Sequence, residues 1–99
     1  MYNKRILEIA GTEIEGLLQS MPTRFGSDSF YLPFAYHHPR KYETIVQSYV
    51  TRGHDRAHAI QIAHSQLMHT VNDKFDHLVK KIADCPNPKG GRMSRWVRT

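Results

Sequence analysis

The fold turns on residues 56–84, RAHAIQIAHSQLMHTVNDKFDHLVKKIAD, where Ile60, Ala63, Leu67, Val71, Phe75, Leu78 and Ile82 recur at steps of three and four. That period sets all of them on one side of an α-helix, because about 3.6 residues complete a turn. The spacing predicts one helix from Arg56 to Asp84, about 44 Å long at roughly 1.5 Å per residue. It is read as continuous through Thr70, Val71, Asn72 and Asp73, although Thr, Asn and Asp also suit a cap for a new helix.

Upstream, Gly53 supplies a left-handed stop and Asp55 a good N-cap for that helix. Tyr42, Ile45, Val46, Tyr49 and Val50 follow Pro39 at i, i+3, i+4, i+7 and i+8, an amphipathic second helix with proline in its first turn. Ile6, Ala10, Ile14, Leu17, Leu18 and Met21 mark a first helix, which Pro22 stops. Thr12 and Glu15 form a capping-box pattern that would instead start it near residue 13. Between these helices, residues 22–38 lose the period, and Phe25, Phe30, Tyr31, Phe34 and Tyr36 place half of the 10 % aromatic content in one short stretch. This segment reads as an aromatic-rich loop, because Pro33 argues against a central strand at Phe30, Tyr31 and Leu32. Each ring has on the order of 150–250 Å² to bury, so the loop either folds over the helices as a lid or presents a docking surface.

Downstream, Cys85-Pro86-Asn87-Pro88-Lys89-Gly90-Gly91 ends the long helix with two prolines and two glycines. The expectation is an all-α fold of three helices, a single helical domain over 1–85, and a basic Pro/Gly-linked tail over 86–99. A chain of 99 residues suits one modest core. It has no apolar run near the roughly 18 residues of a membrane span. Glu8, Glu13 and Glu15 interrupt any apolar signal stretch after Lys4 and Arg5. The lone Cys85 has no intramolecular disulfide partner, which agrees with a reducing compartment, and a cytoplasmic location is expected.

The net charge of +5 is unevenly placed. Residues 1–79 hold equal numbers of acidic and basic side chains, whereas Lys80, Lys81, Lys89, Arg92, Arg95 and Arg98 face Asp84 alone. A basic end of this kind attracts polyanions through counterion release.

Several arrangements suggest chemistry. His69, Asp73 and His77 fall at i, i+4 and i+8 and would share a helix face as weak metal-ligand candidates, and His54 and His58 form a second i, i+4 pair. Solvated polar residues on an amphipathic helix give the same spacing, so no metal or other cofactor is expected. His54-Asp55, with His37 or His38 before and Asp73 or Asp76 after, follows the residue order of HD-type metal phosphohydrolases, which it resembles in four residues; the resemblance implies a phosphate-polarising metal site. Asp55 is read instead as a helix cap. Cys85 lacks the flanking pattern of a catalytic thiol. The second and third helices joined at Gly53 suggest a helix-turn-helix, with Arg52, Arg56, Gln61 and Gln66 facing DNA. Tyr49 is large for its close helix crossing.

The favoured expectation is a non-enzymatic accessory protein that binds a nucleic-acid-processing enzyme or nucleoprotein complex and changes its activity. Phe30, Tyr31, Phe34, Tyr36, Arg92, Arg95, Trp96 and Arg98 would dock it on that protein partner. The alternative is direct DNA or RNA binding by Lys80, Lys81, Lys89, Arg92, Arg95 and Arg98, with Trp96 stacking on a base. A homodimer would follow if the seam of the long helix were exposed. In size and general character the chain resembles the small anti-RecBCD proteins of lambdoid phages, which redirect host nucleases; no motif carries that likeness, and it implies no site residues.

Overall fold

The computed structural model describes residues 2–86 and 92–99, and the side chains of residues 4–82 and 94–99 among them. The elements run α1 (Tyr2–Gln19), β1 (Arg24–Gly26), α2 (Asp28–His37), α3 (Pro39–Val50), α4 (Arg56–Lys74), β2 (Val79–Pro86) and β3 (Arg92–Arg98). The protein is therefore mixed α and β, and the expected all-α assembly is corrected by a three-stranded antiparallel sheet of order β1-β3-β2.

The helices expected from capping and period are present. Pro39 opens α3, which buries Ile45, Val46 and Tyr49. Gly53 takes the positive φ of 102° that a left-handed turn requires. Asp55 caps α4, its carboxylate accepting the His58 N–H at 2.8 Å. In α1 the backbone leaves helical angles at Ala10 (φ −145°, ψ 20°). Lys41 crosses from α3 to this kink, where its ammonium donates to the Ile9 carbonyl at 2.9 Å and pairs with Glu13 at 3.2 Å.

Three expectations fail for identifiable reasons. The long helix stops at Lys74, with Phe75 as its C-cap, and the chain turns into β2. Thr70 to Asp73 is continuous helix, but Leu78 and Ile82 kept the helical period only by coincidence. The seam on α4 faces this chain's own core through Ala63, Leu67 and Val71, so it gives no ground for a dimer. Residues 28–37, expected as loop, are helical because Phe30 and Phe34 stand one turn apart, both fully buried. Burying two rings outweighs the backbone hydrogen bond that Pro33 forfeits. Finally, residues 92–98 of the expected tail form the central strand.

β3 pairs with β1 through Arg24↔Val97, Phe25↔Trp96 and Gly26↔Arg95, and with β2 from Val79↔Arg98 to Pro86↔Arg92, with an irregularity at Ile82. Paired residues share a face, so Phe25, Trp96 and Val79 turn toward the helices, and all three are buried. The indole N–H of Trp96 donates to the Ser27 hydroxyl at 2.9 Å, and Ser27 N–H donates to the Ser94 carbonyl at 3.0 Å. Arg98 reaches back to donate to the carbonyls of Gln19 and Met21 at 2.9 and 2.8 Å, satisfying groups at the C-terminal end of α1.

A chain ended at Cys85 lacks the central strand and should lose its cooperative urea transition. Within the full chain, Trp96→Ala should lower unfolding free energy by about 3–5 kcal/mol. Ser27→Ala should cost about 1–3 kcal/mol by stranding the indole N–H. A Trp96→Ala curve matching the parent would contradict this packing.

Candidate polyanion surface and adjoining cleft

The three strands carry six basic residues and one acidic residue, which is the whole +5 of the chain; the helices and loops together are neutral. Register then divides these cations by face. Arg24 and Lys80 flank Val97 in one cross-strand row, and Arg95 stands in the next row between Gly26 and Ala83. All three point away from the helices and are exposed. Among the described residues no carboxylate lies within ion-pair distance of Arg24, Lys80 or Arg95. The result is a basic sheet face whose outer cations lie about 10 Å apart at the Cα, two strand spacings.

The residues expected to bind are thus separated. Lys80 and Arg95 share the outer face, joined by Arg24, which reading charge along the chain did not group with them. Lys81, opposite Trp96, lies on the inner side, and Arg98 holds the end of α1. Trp96 is 1 % exposed and unavailable for stacking on a base or filling a partner's pocket. Lys89 lies outside the described residues, as do the side chains of Arg92 and Cys85. Of the aromatic docking set, Phe30 and Phe34 are core, Tyr31 is half-buried and Tyr36 is 81 % exposed. Leu32, also exposed, sits one turn before Tyr36 on α2.

The weaker candidates disperse as well. His77 lies beyond the end of α4, so His69, Asp73 and His77 do not share a helix face. Among the described residues no group of three His, Cys, Asp or Glu side chains could hold a metal ion. The HD-type reading loses Asp55 to its capping role, and His54 packs edge-on against His58 with centroids 4.9 Å apart. Two of the four residues assigned to DNA in the helix-turn-helix reading are occupied: Arg56 pairs with Glu43 through two contacts of 2.7 Å, and Arg52 lies over the Tyr49 ring at 5.8 Å. The Arg56 guanidinium and the Gln47 amide hold the Glu43 carboxyl down to about 2.

On the other side of the sheet, a cleft of about 310 Å³ opens between α2, α4 and the strands. Met68 and Trp96 floor it, and Tyr31 and His64 form a wall in which the two rings stack at 3.9 Å. Tyr42 closes the back of that wall with a 2.7 Å hydrogen bond between its hydroxyl and His64 Nε2. Burial lowers the His64 pKa and raises those of Tyr31 and Tyr42, with Asp28 adding to the rise at Tyr31. The cluster is a neutral one near pH 7. Sequence spacing gave no hint of it, because Tyr31, Tyr42 and His64 come from three different helices. No family model, curated protein or solved structure matches the chain.

Because folded His64 holds a proton less readily than the unfolded side chain, its contribution to stability is present above about pH 6.5 and is lost as pH falls below that value. Melting temperature should therefore drop between pH 7.5 and 5.5, and the drop should be smaller in His64→Phe, which keeps the stack on Tyr31. Parallel profiles for the two proteins would show that His64 does not titrate in this way.

Proposed function

We propose that the protein is a non-enzymatic, nucleic-acid-associated accessory protein that contacts the phosphate backbone through the outer face of its sheet. The observation that carries this reading is the convergence of Arg24, Lys80 and Arg95, one from each strand, on a face with no described carboxylate. A neutral body offered no broad phosphate footprint when charge was counted along the chain. Folding gives one by collecting the charged segments into a single sheet, on which fixed cations bind phosphates without further ordering of the backbone. With exposed base-stacking rings absent from the described outer face, binding would depend on backbone charge and discriminate little between sequences.

A second reading keeps the protein partner, a nucleic-acid-processing enzyme such as a host nuclease whose activity it would modulate. It is favoured by Leu32 and Tyr36, 57 % and 81 % exposed on one side of α2, a pair able to seat in an apolar groove. The two readings are compatible in a factor that rests on nucleic acid while touching the enzyme working there.

Fluorescence polarisation with labelled single- and double-stranded DNA and RNA, across a salt series, separates them. The parent should bind with an affinity that falls steeply with salt, and each of Arg24→Ala, Lys80→Ala and Arg95→Ala should reduce the slope of log K against log salt by about 1. Leu32→Ala with Tyr36→Ala should leave that slope unchanged. Binding insensitive to salt, or to all three charge removals, would defeat the sheet-face reading.

A further inference from the structure

The cleft beside α4 is not needed for backbone contact on the outer face, yet its lining is unlike ordinary surface. Met68 and the buried Trp96 lie at its base, and Tyr31 and His64 make one wall aromatic. Its polar lining includes Ser65, His69 and Asn72, successive positions on one side of α4, with Lys81 contributed by β2. None of the described residues lining it is acidic. Such a site suits a ligand with a flat, poorly solvated body and an anionic end. The volume lies at the small end of the roughly 300–1,000 Å³ range of ligand pockets, which limits the occupant to about one nucleotide.

Its position supplies the second half of the inference. Lys80 and Lys81 are adjacent in β2 and point to opposite faces of the sheet. Basic side chains therefore stand on both faces at the β2 edge, and the second of them, Lys81, lines the cleft.

We infer that the cleft is a binding site for a nucleoside monophosphate unit, either a free nucleotide or the 5′-phosphorylated end of a strand. The base lies over Met68 against the Tyr31 and His64 wall, the Asn72 amide meets its hydrogen-bonding edge, and Lys81 and His69 receive the phosphate. The choice of ligand rests on the phosphate-binding reading of the sheet; the site itself rests on the cleft alone.

The test uses the full chain, with His69→Leu and Asn72→Leu as variants because both side chains are exposed on α4. Isothermal titration with AMP, GMP, CMP and UMP, set against inorganic phosphate and adenosine, measures the cleft directly. At least one nucleotide should bind more tightly than either fragment, and each variant should weaken it by about fivefold or more while retaining the parent's circular dichroism and salt-dependent binding of unphosphorylated oligonucleotide. A gain for 5′-phosphorylated over 5′-hydroxyl oligonucleotide would make the strand end the occupant; nucleotide binding without that gain would make it a free nucleotide. No heat with any nucleotide up to about 10 mM, equal binding by parent and both variants, or inorganic phosphate binding as well as the nucleotides would overturn the inference. Failure of the sheet-face reading would show separately, as oligonucleotide binding indifferent to Arg24, Lys80 and Arg95.

Discussion

A single buried hydrogen bond, from the Trp96 indole to the Ser27 hydroxyl, ties together segments 69 residues apart in the chain. An indole taken out of water needs a partner for its N–H, and a serine hydroxyl taken out of water needs one as well. Ser27 meets both demands at once and adds a backbone N–H to the Ser94 carbonyl. It also stands where β1 ends and α2 begins, so its carbonyl accepts from Phe30 and Tyr31 in the first turn of that helix. The orientation of α2, the seating of β3 and the floor of the cleft are consequences of the same few atoms.

Drawing β3 into the fold also decides what the basic residues can do. Cations on a mobile tail sample many positions and lose entropy when they bind. Here alternate residues of one strand are assigned to different tasks: Trp96 and Arg98 serve the interior and the end of α1, while Arg95 is left facing outward beside Arg24 and Lys80. Strand geometry thus turns a run of charge into a surface with fixed spacing.

How much of this was legible beforehand follows from the range over which each signal acts. Pro39, Gly53 and Asp55 act on their immediate neighbours, and the helix boundaries they announce are those observed. The period of α4 was also legible, but its end was not, because Phe75, Leu78 and Ile82 remain in helical phase and the turn at residues 75–78 has neither glycine nor proline. Val79 and Lys81 face inward by strand alternation, which a search for threes and fours passes over. Arg92–Arg98 looked like solvated tail since its local composition is charged. Its strand character depends on β1, some seventy residues away, and on the cavity Trp96 fills. The candidate surface was legible only as charge: Lys80 and Arg95 were in the basic set, while Arg24 joined them only once register was known. The cleft was not legible at all, being assembled from α2, α4 and the sheet.

The order of strands in space also bears on how the molecule is made. The central strand is the latest of the three in sequence, so β1 and β2, which flank it, have nothing to pair with until residues 92–98 are available. The helices can collapse earlier from local contacts, but the face that will receive Trp96 stays open meanwhile. Closure across such a long sequence separation is entropically slow, and strands waiting for a partner can pair with the wrong one. During synthesis on the ribosome the sheet therefore cannot be completed before residues 92–98 emerge, and the three-strand basic face cannot be completed before them either.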